Sequence, residues 1–160
     1  MLQRLAQLED FELIIIVEIE PDIDLPGLHW RHIAWPPDTE VEGLQQIDIG
    51  LMPLRDEPFE KGKSGLKAIQ YMGVGIPAIV SPVGVNGLIV LDGKIGFHCT
   101  KGDEWIGRLR RLIRNRALRE RLGAFARDHV VRNYSISSAI PRLLDVFEQV
   151  SPPRDRQAEP

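Results

Sequence analysis

Apolar positions in this chain follow two patterns, and their order predicts the architecture. Phe11 to Ile19, reading FELIIIVEI, is a short run rich in β-branched residues and predicts a buried strand. Leu28 to Trp35 alternates loosely and predicts a second. The third is IDIGLMP, ending at Met52 and Pro53; the fourth is AIVS, Ala78 to Ser81; the fifth is IGFHCT, Ile95 to Thr100. Elsewhere the spacing is helical. Leu2, Leu5 and Leu8 share one face, and Asp38, after Pro36 and Pro37, can cap a short helix over Thr39 to Gln46. Trp105, Ile106, Leu109, Leu112 and Ile113 form a stripe, Leu118, Leu122 and Phe125 continue in a second helix, and Ser135 can cap a third that runs to about Val150.

Strands alternating with helices imply a parallel sheet covered on both faces. The expected fold is therefore α/β: a doubly wound parallel sheet of about five strands with a helical C-terminal third. Residues 1–150 are expected to form the domain, and SPPRDRQAEP, residues 151–160, a disordered polar tail. Ligands on such sheets bind beyond the carboxyl ends of the strands.

One segment gathers the candidate chemistry at that edge. Lys61 to Asn86 reads KGKSGLKAIQYMGVGIPAIVSPVGVN: a loop, a helix, a stop, a strand and a second glycine loop. The polar loop Arg55 to Lys63 leads into it. Gly62, Ser64 and Gly65 open the helix, with Ser64 as the expected N-cap, while Gly73, Gly75 and Pro77 end it. At about 100° per residue, Gly65, Leu66, Ala68, Ile69, Met72 and Gly73 share one broad side, and Lys63, Lys67, Gln70 and Tyr71 the other. Unpaired N–H groups at a helix start, glycines that permit close approach, and two ammonium groups suit a diphosphate. Lysines on an outer helix face also serve solubility alone, and the P-loop pattern is absent.

Composition narrows the field. A chain of 160 residues, 43% hydrophobic and 27% charged, supports one domain with a real core. A single cysteine, Cys99, excludes an internal disulfide framework and fits a small core residue in a cytoplasmic protein. No apolar run reaches bilayer length, and the N-terminus lacks a signal-peptide pattern. His29, His32, His98 and His129 have no metal-ligand spacing, so neither metal nor cofactor is expected. Of 23 acidic residues, 14 fall in residues 1–60, against 3 of 20 basic ones, so the two parts of the chain can pair internally or face a partner. Nine arginines lie between Arg108 and Arg132, mostly off the apolar stripe. Without interleaved aromatics they read as a solvated face and not as a nucleic-acid surface.

DIGLMPL, GKSGLKAIQYMGVGIPAIVSPVGVN and DGKIGF, in this order and spacing, resemble the C-terminal domain of group 1 glycosyltransferases, retaining enzymes built from two Rossmann-like domains. The resemblance runs from Met1 to about Phe147. It implies a Rossmann-like domain that binds a nucleotide-diphosphate sugar, the donor in transfer to an acceptor with retention. It implies substrate contacts from Gly62, Lys63, Ser64, Gly65, Lys67 and Gln70, and from the second glycine loop, Val83, Gly84, Val85 and Asn86. Lys67 is the first choice for the phosphates and Lys63 the second. It also admits docking of basic helices on anionic lipid, since some members act on lipid-linked acceptors.

The chain departs from that pattern in named places. Two glutamates usual in the family fall at Gly62 and Gln70, and a third at Leu88. Gln70 can still hydrogen-bond a ribose hydroxyl, whereas Gly62 offers only backbone. Relative to the family, the chain begins inside the donor domain's first helix, so its first strand, glycine loop and acceptor domain are expected to be missing. The catalytic residues are unassigned, and the chain alone is expected to be inactive: a fragment, a truncated frame or one part of a split enzyme, with the acceptor domain on another chain. A gap in the sheet is expected to favour self-association. The rival readings are a non-catalytic regulatory remnant of the same fold, favoured by Gly62 and Leu88, and an epimerase of the same architecture, which fits the GVN and YMGVGIP wording less well.

Overall fold

The computed structural model describes residues 1–35 and 40–150. The expectations for Asp38 and for residues 151–160 lie outside them. Five strands form among the described residues: β1 (Leu13–Val17), β2 (Trp30–Ala34), β3 (Gly50–Met52), β4 (Ala78–Val80) and β5 (Gly96–His98). All pairings are parallel, as the alternation of strands and helices requires. They form two sheets and not one, however: β1 pairs with β2, and β4 lies between β3 and β5.

The three-stranded sheet is the core of the molecule. Alternate residues of β4 point to opposite faces, so one short strand feeds two clusters. Ile79 packs with Phe97, Cys99, Trp105, Leu109 and Leu112, under the helices α1 (Leu2–Ala6), α6 (Gly102–Ile113) and the start of α7 (Arg116–Tyr134). Ala78 and Val80 pack with Met52, Ala68, Met72, Ile89 and Val130, under α4 (Leu66–Gly73), the short α5 (Asn86–Ile89) and the far half of α7. Cys99 is buried, and the loss of solvent raises its thiol to about 11, consistent with a packing role.

Three local expectations are corrected. The N-cap of α4 is Gly65, with φ 72°, and not Ser64: the left-handed turn needed there is open to glycine and strained for serine. The loop expected over Arg55 to Lys63 contains a short helix, α3 (Pro58–Lys61), started by a proline whose missing N–H costs nothing at that position. On α4 the sides are also rotated. Leu66 is 55% exposed because it lies in the first turn beyond the sheet, whereas Tyr71 leans inward over Gly50, where any side chain would meet its ring.

The charge asymmetry resolves into internal pairs. Glu9 at the end of α1 takes Arg110 Nε at 2.6 Å and Arg114 Nη2 at 2.7 Å, Arg4 pairs with Asp103, and Asp48 with Arg119. The two arginines hold the Glu9 carboxyl below its ordinary range. Arg108 and Arg111 lie over the Phe97 ring, and Arg127 donates to the Gly73 carbonyl. The helix α8 (Ile136–Val150) starts where Ser135 Oγ accepts the Ser138 N–H at 3.2 Å, the expected cap. No helix among the described residues is long and apolar enough to cross a membrane.

Glu104 yields a pH prediction. Its Oε2 accepts the backbone N–H groups of Thr100 at 2.7 Å and Lys101 at 3.2 Å, capping α6, and these bonds lower its pKa. A carboxyl depressed in the folded state contributes stability above its unfolded value, and that contribution disappears as pH falls through the folded value. Glu104→Gln should therefore melt below the parent chain at pH 7, with the gap closing well below the ordinary glutamate value of 4.5. An equal gap at both ends of a melting series would contradict this.

Candidate functional site

Two glycine loops meet at the carboxyl ends of β3 and β4. The first is Gly62 to Gly65, ahead of α4, and the second Val83 to Asn86. Their contact depends on glycine at both ends. A Cβ on Gly84, φ 57°, would stand 2.5 Å from the carbonyl oxygen of Lys61. A Cβ on Gly65 would overlap the tip of Ile89 and lie 3.1 Å from Asn86 Oδ1. Ser81 ties the second loop to the sheet: its Oγ accepts the Leu54 N–H at 3.0 Å, and its carbonyl accepts Asn86 Nδ2 at 3.3 Å. Asn86 is 1% exposed, so its side chain braces the loop. Ser64 and Gly84 are exposed, and Lys63 Nζ lies 5.3 Å from the Phe59 ring centroid.

Lys67 faces another way. Its ammonium lies 2.9 Å from the centroid of Trp35 and 3.7 Å from Glu40 Oε1, on the short helix α2 (Glu40–Leu44). Burial lowers its pKa, and Glu40 acts in the opposite direction. It points to the mouth of a cavity of about 700 Å³ that Trp35, Glu40, Pro53 and Tyr71 also line. Of the ten residues named from the sequence, Lys67 alone lines this cavity, and the two glycine loops lie outside it. Gln70, three residues and about one turn further along the helix, donates Nε2 to the same Glu40 carboxylate. Its Oε1 is buried without a hydrogen-bond partner among the described residues. Burial also raises the Tyr71 pKa, so its hydroxyl stays protonated and donates to the Leu51 carbonyl at 3.4 Å.

Glu40, Trp35 and Tyr71 were not found from the sequence as members of this cluster. Glu40 lies on a separate short helix, and no spacing links it to Lys67. Among the described residues no group of three or more His, Cys, Asp or Glu could hold a metal ion.

Comparison with known proteins gives a consistent result. A family model described as "Glycosyl transferases group 1" matches residues 31–129. The chain is 27% identical over 143 residues to a trehalose synthase from Pyrococcus horikoshii, covering 89% of this chain and 30% of that protein. Among solved structures, sucrose-phosphate synthase from Thermosynechococcus elongatus superposes with a TM-score of 0.74 at 17% identity, over 92% of this chain and 41% of that one. The S. aureus protein TarM, in a mutant solved with UDP, fondaparinux and alpha-GlcNAc-glycerol, gives 0.58 at 18% identity, over 74% of this chain and 24% of that one. The chain thus spans well under half the length of these relatives.

Proposed function

The chain belongs to the group 1 glycosyl transferases, and from that premise we propose that residues 1–150 are the donor-binding domain of such an enzyme. Its ligand is a nucleotide-diphosphate sugar, and the sugar passes with retention to an acceptor held by a further domain. The observation that carries this reading is the contact between the two glycine loops. It leaves the first-turn N–H groups of α4, with Lys67 in that same turn, at the carboxyl edge of β3 and β4. Transfer develops positive charge at the sugar and negative charge on the departing diphosphate. Fixed amide dipoles oppose the second charge without reorganising, and the Lys67 ammonium adds to them.

The role of Lys67 follows from its partners. In the free protein Glu40 and Trp35 hold its ammonium at the cavity mouth. A diphosphate exchanges that carboxylate for a stronger anionic partner. The unpaired Gln70 Oε1 supplies an acceptor for a ribose hydroxyl. The bound UDP in TarM supports this ligand class.

Calorimetric titration of UDP, GDP and ADP into the full chain tests the assignment. A charged hydrogen bond contributes about 1.5–3 kcal/mol, so Lys67→Ala should weaken the preferred nucleotide roughly ten- to a hundredfold. An unchanged affinity would remove Lys67 from the site.

A further inference from the structure

The carboxylate beside Lys67 has more bonding capacity than its neighbours use. Glu40 lies on α2, with its side chain 27% exposed. Lys67 approaches Oε1 at 3.7 Å, and Gln70 Nε2 donates to that same oxygen. Oε2 has no partner among the described residues. A carboxylate only accepts hydrogen bonds, so it fixes which end of the Gln70 amide faces it. The N–H end must do so, and Gln70 Oε1 turns away. That oxygen is buried and also lacks a partner among the described residues. Each open acceptor shares its carbon with one atom of the Gln70–Glu40 hydrogen bond, so the two flank that bond. An ion pair between Lys67 and Glu40 serving structure alone would account for neither.

Two acceptors so placed call for two neighbouring donors on one ligand. A further anion is repelled by Glu40, and a cation would compete with the Lys67 ammonium. A neutral vicinal diol fits, because it carries two hydroxyl donors on adjacent carbons. Nucleotide binding increases the need. When Lys67 turns to a diphosphate, the Glu40 carboxylate loses its cation while it remains mostly buried. A charge left there without donors is unfavourable, and two hydroxyls compensate for it. Helix geometry sets the order of contacts. Gln70 follows Lys67 by three residues, about 4.5 Å along the axis, and the ribose diol lies a few bonds beyond the first phosphate of a nucleotide.

We propose that Glu40 is a ribose-binding residue of this domain. Its carboxylate and Gln70 Oε1 each accept one of the 2′- and 3′-hydroxyls, and Glu40 makes the domain select ribonucleotides over deoxyribonucleotides. The α4 segment, LKAIQYMG, has no carboxylate of its own, and a separate helix supplies one. This role rests on the donor-domain reading. It adds a discrimination that phosphate contacts cannot supply, because ribo- and deoxyribonucleotides carry the same phosphates. A site built to bond a hydroxyl rejects the analogue that lacks it, since its own polar groups are then left unpaired.

The probes are UDP, GDP and ADP, each beside its 2′-deoxy and 3′-deoxy form, titrated calorimetrically into the full chain. The parent should bind the preferred ribonucleotide roughly tenfold more tightly than either deoxy form. In Glu40→Ala the ratio for the hydroxyl that Glu40 holds should fall below about threefold. The deoxy forms should bind this variant no more weakly than the parent, because Lys67 is no longer held back. Glu40→Gln keeps the size of the side chain and should lower the same ratio. Each ratio is taken within one protein, so a general loss of stability does not imitate the effect. Equal affinity of the parent for ribo and deoxy forms overturns the proposal and leaves the donor reading intact. Ratios that survive for both hydroxyls in both variants overturn it too, and reduce Glu40 to a brace for Lys67. Binding of none of the three ribonucleotides defeats the donor reading and the role of Glu40 with it.

Discussion

Replacing Gly123 with alanine is expected to lower the melting temperature by roughly 6–12 °C. Gly123 lies in the middle of α7, where a bare helix face passes over the turn that ends α4. A Cβ there would overlap the carbonyl oxygen of Gly75 and stand 2.9 Å from its carbon. Both atoms are backbone, in a turn that Gly75 holds at φ 82°, so no side-chain rotation relieves the overlap. The helix must lift away from the cluster of Met72, Ala126 and Val130. Overpacking a core costs about 1–3 kcal/mol, and contact with fixed backbone puts this case at or above the upper end. Three kcal/mol lowers the melting temperature of a domain this size by roughly 6–12 °C. The control is Gly107→Ala, on the exposed side of α6, where a Cβ meets nothing within 4 Å. It should raise the melting point slightly, since glycine inside a helix costs about 0.5–1 kcal/mol relative to alanine. Equal melting points for the two variants would refute this account of how α7 is seated.

Gly84→Ala carries the second large effect, and it falls on function more than on the fold. The residue is exposed, so the added methyl group displaces no core side chain. Its φ of 57° strains any side chain, and its Cβ would stand 2.5 Å from the carbonyl oxygen of Lys61. The left-handed region costs about 1–2 kcal/mol outside glycine, and relieving the contact moves the first loop away from the second. Nucleotide affinity should fall by at least tenfold while the melting point drops only a few degrees. A normal binding isotherm for this variant would show that the contact between the loops is not part of the site.

The sequence carried the order of elements, their direction and the two-faced core, because these follow from apolar spacing alone. AIVS forms the central strand of the three-stranded sheet and IGFHCT its neighbour for that reason, and Ser135 caps a helix where its hydroxyl has an N–H within reach. The pairing of strands was less legible. LIIIV reads as fully buried, yet nothing in its own residues reports that one edge faces a gap. The surroundings of Lys67 were hidden for the same reason. Helical period gave the face it occupies, but Glu40 and Trp35 reach it from elements far away in the chain, and only the folded topology brings the three together. Helical period puts Tyr71 on the outer face because it does not register the missing side chain at Gly50.

The proposed function puts a nucleoside diphosphate where the two glycine loops meet. Amide NMR spectra of the full chain, recorded as the nucleotide that gives the most heat is added, test it most directly. Binding there should give saturable shifts concentrated at Lys63 to Lys67 and at Val83 to Asn86, with the Lys67 and Gln70 side chains following. Shifts confined to other parts of the chain, or spectra unchanged at millimolar nucleotide, would contradict it.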